Sequence, residues 1–299
     1  MKGKASGRQG SLAVWPERPA GGVLVCALLL ASCATHPPPK TGPGPSPATQ
    51  TRTGHGPLIA DTHVPPFASQ NWEVFSRADA IAIALREWRL FGQPVDDDPP
   101  DTRPPPLPDQ KPERMAGLWE RVGEYWWEGQ DPDEREAAWT GMHDENGVIF
   151  EAGHDGGFAW SAAFISYVMR IAGAGTGFPY SPNHSTYINA AVTGAAPALR
   201  AHPPEAYAPK PGDIICTGRD RAAGLRFRNL PAPPFPSHCD IVVAVKPGEL
   251  TVIGGNVDDA VTAKHIPVTQ DTGTLADPTG HVLDARYPWM AVLEVLYVR

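Results

Sequence analysis

Residues 160–172 read WSAAFISYVMRIA, with Gly173 directly after. Only Arg170 is charged, and the apolar side chains cover most of the helical circumference, so the segment predicts a helix buried on nearly all sides and closed by the glycine. Its packing partner lies downstream. After Pro211-Gly212 the pattern changes to short β-rich runs at 213–217, 238–245, 250–254, 260–265 and 290–298. Upstream, residues 76–91 place Ala80, Ile83, Ala84, Trp88 and Phe91 on one helical face behind Ser76 as N-cap. A second helix is expected from Pro112 to about residue 128, with Met115, Leu118, Trp119, Val122 and Trp126 on its inner face, and a short one over 184–192. Helices first and antiparallel strands after them predict an α+β domain.

Proline divides the rest of the chain. Of 35 prolines, seventeen lie in residues 34–66 and 94–112, which cannot be core. The first cluster, poor in large apolar residues, predicts a disordered tether over 33–66. The second is a Pro-rich loop inside a single domain spanning 67–299. Of Trp72, Trp88, Trp119, Trp126 and Trp127, most are expected in the core, with Trp127 exposed. The net charge is −8, yet Lys2, Lys4, Arg8 and Arg18 against Glu17 leave the first 33 residues at +3 and the remainder at −11. An acidic body without a basic run excludes nucleic acid as the expected partner.

Residues 22–31 (GVLVCALLLA) are too short to span a bilayer and have the pattern of a signal peptide's apolar region, giving a leader over 1–32. Leu30-Ala31-Ser32-Cys33 resembles the bacterial lipoprotein signal. That resemblance implies a lipid on Cys33, with Ala34 behind it implying sorting to the outer membrane of a diderm cell, facing the periplasm. Cys216 and Cys239 then remain in the exported domain, at strand ends that predict a structural pair, free or bridged.

Three segments carry candidate chemistry: 158–168 (FAWSAAFISYV), 237–243 (SHCDIVV) after Pro211-Gly212-Asp213, and 254–256 (GGN). In content and order they resemble the papain-like bacterial cell-wall hydrolases of the NlpC and CHAP groups. That resemblance implies a nucleophile-bearing central helix on an antiparallel sheet, with Ser161, His238 and Asn256 at the nucleophile, base and imidazole-orienting positions. The nucleophile position holds serine where those groups have cysteine. The combination of WSAAFISYVMR, FPYSPNHSTYI and IGGNVDDAV further resembles the bacterial domain-of-unknown-function family 2272, in which serine there is the family's own pattern.

A serine hydroxyl titrates far above a thiol, and a helix terminus contributes only about 0.3–2 kcal/mol, so Ser161 needs a base during attack. The expected activity is amide hydrolysis in peptidoglycan or a related peptide. The alternative is an inactive hydrolase-like domain that binds cell-wall peptide or a protein partner. Trp160, His184 and Tyr187 are expected to line the cleft. Arg219, Arg221, Arg226 and Arg228 form a candidate clamp for a carboxylate or phosphate. Cys239 adjoins His238, but neighbouring side chains of a strand face opposite ways, so it is not the expected nucleophile. His143-Asp144-Glu145 and His154-Asp155 lack a metal-binding spacing, so no metal or cofactor is expected.

Overall fold

The computed structural model describes residues 74–298 except 101, 103–105, 108, 132 and 152–157. The leader, Cys33, the tether, Trp72, His154 and Asp155 lie outside the described residues. Helix α1 spans Arg77–Leu90, and Ser76 Oγ accepts the Asp79 N–H at 3.2 Å. Its buried positions are Ala80, Ala84 and Glu87, with Ile83 and Trp88 half-buried. Glu87 was not expected inside. Its carboxylate accepts from Arg121 Nη2 at 2.9 Å, Arg121 Nε at 3.1 Å and the Tyr125 hydroxyl at 2.7 Å, which offsets its desolvation.

Helix α2 covers Leu118–Glu128 and starts later than the periodicity predicts. Gly117 stands before it at φ 83°, and its N–H is accepted by Glu120. The left-handed glycine separates the helix from a short 3-10 turn at Pro112–Arg114, so Met115 turns outward. Trp126 is buried and Trp127 is 48% exposed, as expected. Helix α3 is Ser161–Ile171, buried from Ser161 to Met169, and α4 is His184–Thr193.

The strands are β1 Leu199–His202, β2 Ile214–Gly218, β3 Ser237–Lys246, β4 Glu249–Val257, β5 Ala260–Pro267 and β6 Trp289–Val295. They form one antiparallel sheet in the order β1-β6-β2-β3-β4-β5. The fold is therefore α+β, as the order of patterns implied. Strand β1 leaves no mark in the sequence pattern, because four residues at a sheet edge carry too little periodicity to stand out.

One sheet face, with Cys216, Cys239, Ile241 and Ile253, joins the helical core, while Ile215, Val242, Val252 and Trp289 form a second cluster on the other face. The glycine pair of β4 shows how tightly both faces close. A Cβ on Gly255 would lie 2.6 Å from Phe164 Cβ, and one on Gly254 would lie 2.0 Å from an Asp240 carboxylate oxygen.

Cys216 and Cys239 are directly opposed on β2 and β3 and bridged by a disulfide. The bond closes a loop with a sequence separation of 23, which chain entropy values at about 3 kcal/mol. Urea denaturation with and without reductant is expected to show a loss of that size, and an unchanged midpoint would refute the estimate.

Candidate active site

Two helix starts meet at the cleft. Ser161 is the first residue of α3 and His184 the first of α4, and Ser161 Oγ lies 2.7 Å from His184 Nε2. The hydroxyl therefore engages a histidine, and among the described residues no side chain caps α3 at its N-cap Trp160. One turn into α4, the Tyr187 hydroxyl hydrogen-bonds His184 Nδ1. All three side chains are buried. Burial, and then the neighbouring His238, hold the His184 imidazole well below its ordinary pKa, so it is neutral at pH 7.

His238 enters from β3, its ring centroid 5.5 Å from that of His184. Its Nε2 lies 2.9 Å from Asp240 Oδ1, and Asp240 Oδ2 lies 2.8 Å from Lys264 Nζ on β5. The ammonium also sits 4.8 Å from the Tyr287 ring centroid. Burial pushes the Asp240 carboxyl up, but Lys264 and His238 outweigh it and hold the group below the usual carboxylate range. Burial lowers His238, with Lys264 acting in the same direction against Asp240. A neutral imidazole beside an ionised carboxylate carries its proton on Nε2. His238 Nδ1 is then a bare lone pair, buried and, among the described residues, without a hydrogen-bond partner.

The expected grouping of Ser161, His238 and Asn256 is rearranged here. Ser161 bonds His184 and not His238, and the polar group behind His238 is Asp240 and not Asn256. The reason is strand geometry: Asp240 is two residues from His238 on the same strand, hence on the same face. Asn256 sits in a bulge between Gly254 and Val257 at φ 55°, which turns it to the cleft lining. That alternation made Asp240 readable from His238-Cys239-Asp240, whereas no local signal marks Lys264.

The cleft, ≈ 740 Å³, is lined by Ser161, His184, Asn256 and Arg219, with Trp126 and Trp139 along its wall. Trp160 and Tyr187, expected to line it, are fully buried and outside its lining. Trp160 Nε1 donates to Glu113 Oε2 at 2.7 Å, a buried carboxylate absent from the expected set. Of the four loop arginines, Arg221 donates to the Pro234 carbonyl and Arg226 to those of Ala223 and Leu225, while Arg228 is exposed away from the cleft lining. His143 and Asp144 are held in a local turn. The Thr140 hydroxyl contacts the His143 ring, and Asp144 accepts the Asn146 and Val148 amides.

No curated protein and no solved structure matches the chain. Residues 113–295 match the family described as an uncharacterized protein conserved in bacteria, DUF2272, a span that takes in α2 to β6 and every side chain of the Ser161, His184 and His238 networks. The chain belongs to that bacterial family.

Proposed function

We propose that the protein is a serine hydrolase on a papain-like scaffold, held in the cell envelope by a lipid on Cys33 and acting on amide bonds of peptidoglycan or related peptides. The observation that carries the reading is the 2.7 Å bond from Ser161 to His184 at a helix start open to a cleft. A serine needed only as a cap would bond its own helix. The layout also supports it, since a helix bearing the nucleophile lies on an antiparallel sheet whose strand supplies a histidine.

In this reaction Ser161 Oγ bonds to the carbonyl carbon while its proton passes to His184 Nε2. The His184 Nδ1–H donates to the Tyr187 hydroxyl, which fixes the reactive tautomer. The oxyanion is received by backbone N–H groups of the first turn of α3. Collapse breaks the C–N bond, and the departing amine takes the proton from His184. Water then attacks the acyl carbon and gives a proton to His184; the C–Oγ bond breaks, and His184 returns that proton to Ser161 Oγ as the carboxylic acid leaves. The lowered pKa keeps His184 unprotonated before attack and makes its imidazolium a ready donor to the departing amine, while weakening its pull on the serine proton. The lone pair on His238 Nδ1 supports one second assignment, with His238 as base and Asp240 behind it.

A fluorophosphonate tests this without a known substrate, since it forms an Oγ–P bond and releases fluoride only with an activated serine. Ser161 is expected to be labelled, Ser161→Ala to abolish labelling, and His184→Gln to slow it about 100-fold or more. Loss in His238→Gln with retention in His184→Gln would move the base to His238. Absence of labelling, together with no fragment released from cell wall, would defeat the hydrolase reading and leave the binding domain.

A further inference from the structure

Arg219 follows the last residue of β2, and its backbone is fixed on both sides. Its N–H donates to the Pro236 carbonyl at 3.0 Å and its carbonyl accepts the Ala222 N–H at 2.7 Å. Gly218 before it has no room for a side chain, since a Cβ would stand 2.1 Å from the Ala222 oxygen. From this anchored position Arg219 lines the cleft together with Ser161 and His184. It stands close enough to both histidines for its charge to lower their proton affinity. Yet among the described residues the guanidinium has neither a hydrogen bond nor an ion pair, whereas Arg221 and Arg226 are engaged with backbone carbonyls.

An exposed arginine on a fixed backbone, lining the same cleft as the nucleophile with its fork unused, can receive an anion. The other charges of the lining decide which anion. Asp96, Glu136, Asp220, Asp258 and Asp259 share the cleft, Asp259 paired with Lys111 at 3.4 Å and Glu136 with Arg135 at 3.4 Å, so the lining is acidic and repels a dianion more than a monoanion. A monoanion of planar geometry fits the fork with less repulsion.

We propose that Arg219 binds a free carboxylate of the substrate, so that the bond cleaved belongs to an acyl donor carrying a second, ionised carboxyl group. This rests on the hydrolase reading for the cleavage, while the carboxylate site stands on Arg219 itself.

Two esters of equal chain length and the same leaving group separate the possibilities: 4-nitrophenyl hydrogen glutarate, ending in a carboxylate, and 4-nitrophenyl valerate, ending in a methyl. The purified protein is expected to prefer the glutarate ester at least tenfold in kcat/KM. Arg219→Gln should bring the ratio to about one, and Arg219→Lys should keep part of it. A second measurement does not depend on turnover. Glutarate is titrated calorimetrically into the Ser161→Ala protein, with and without Arg219→Gln and with inorganic phosphate as competitor. Glutarate binding that needs Arg219 supports the site even if neither ester is hydrolysed, in which case only the hydrolase reading fails. Equal ester turnover with no glutarate binding overturns the proposal and leaves the hydrolase reading in place. Phosphate binding more tightly than glutarate overturns the choice of carboxylate.

Discussion

Replacing Lys264 by methionine is expected to destabilise the protein by about 3–5 kcal/mol at pH 8, the usual cost of leaving one member of a buried ion pair without its partner. Both groups are shielded from water, Lys264 at 1% and Asp240 at 0% exposure, so solvent cannot compensate. The same substitution removes one of the three influences that lower His238, leaving burial and Arg219 against the upward pull of Asp240. His238 in the variant should therefore take up a proton at higher pH than in the native protein. The protonated imidazole then balances Asp240, so the stability deficit should narrow as pH falls from 8 to 6. Urea denaturation at the two pH values, with the His238 ring followed by NMR, checks both parts. Adding Asp240→Asn to Lys264→Met should recover part of the loss. A deficit below 1 kcal/mol, or one that widens toward pH 6, would contradict the assigned network.

Glu113→Gln is expected to act in the opposite direction. Burial, and then the nearby Asp259, raise the Glu113 carboxyl from 4.5 to about 7, against the lowering pull of Trp160, Lys111 and Arg114. A carboxyl whose folded pKa lies above its unfolded value contributes stability in full below pH 4.5. That contribution fades as pH rises through about 7. At about 1.4 kcal/mol per unit, the native protein gives up roughly 3 kcal/mol across this window. Glutamine keeps an oxygen for the Trp160 indole without acquiring a charge. The variant should thus match the native protein near pH 4.5 and exceed it by up to that amount at pH 8. Thermal unfolding across the range measures this, and a difference independent of pH would show that Glu113 does not titrate in the window.

Much of the fold is legible because it depends on local periodicity. The apolar run after Trp160 can only be a buried helix, and alternation along residues 238–245 can only be a strand. Ser161 and His238 stood out for the same reason, each at the start of an element whose type was clear. Pairing between elements is a different kind of information. That Ser161 meets His184 depends on how α4 approaches α3, and that Asp240 meets Lys264 depends on β3, β4 and β5 lying side by side in register. Asn256 illustrates the limit in the other direction. The resemblance implies a catalytic partner at this position, but the glycines before it are required by Asp240 and Phe164, and the asparagine takes the left-handed backbone of a bulge. Glu87 and Glu113 escaped notice because a lone acid in a helical pattern reads as solvent-facing until its partners are seen.

The adjacent glycines of β4 also bear on how the chain avoids misassembly. Gly255 admits the aromatic side chains of α3, and Gly254 admits the Asp240 carboxylate on the opposite side of the same backbone. A slip of β4 by one residue would bring Ile253 against the ionic pair or Asn256 against Phe164, so neither neighbouring frame can be accommodated. The strand is checked independently from its oily side and its charged side, and an error tolerated by one is refused by the other. Fidelity of alignment in this sheet is thus enforced by two missing side chains.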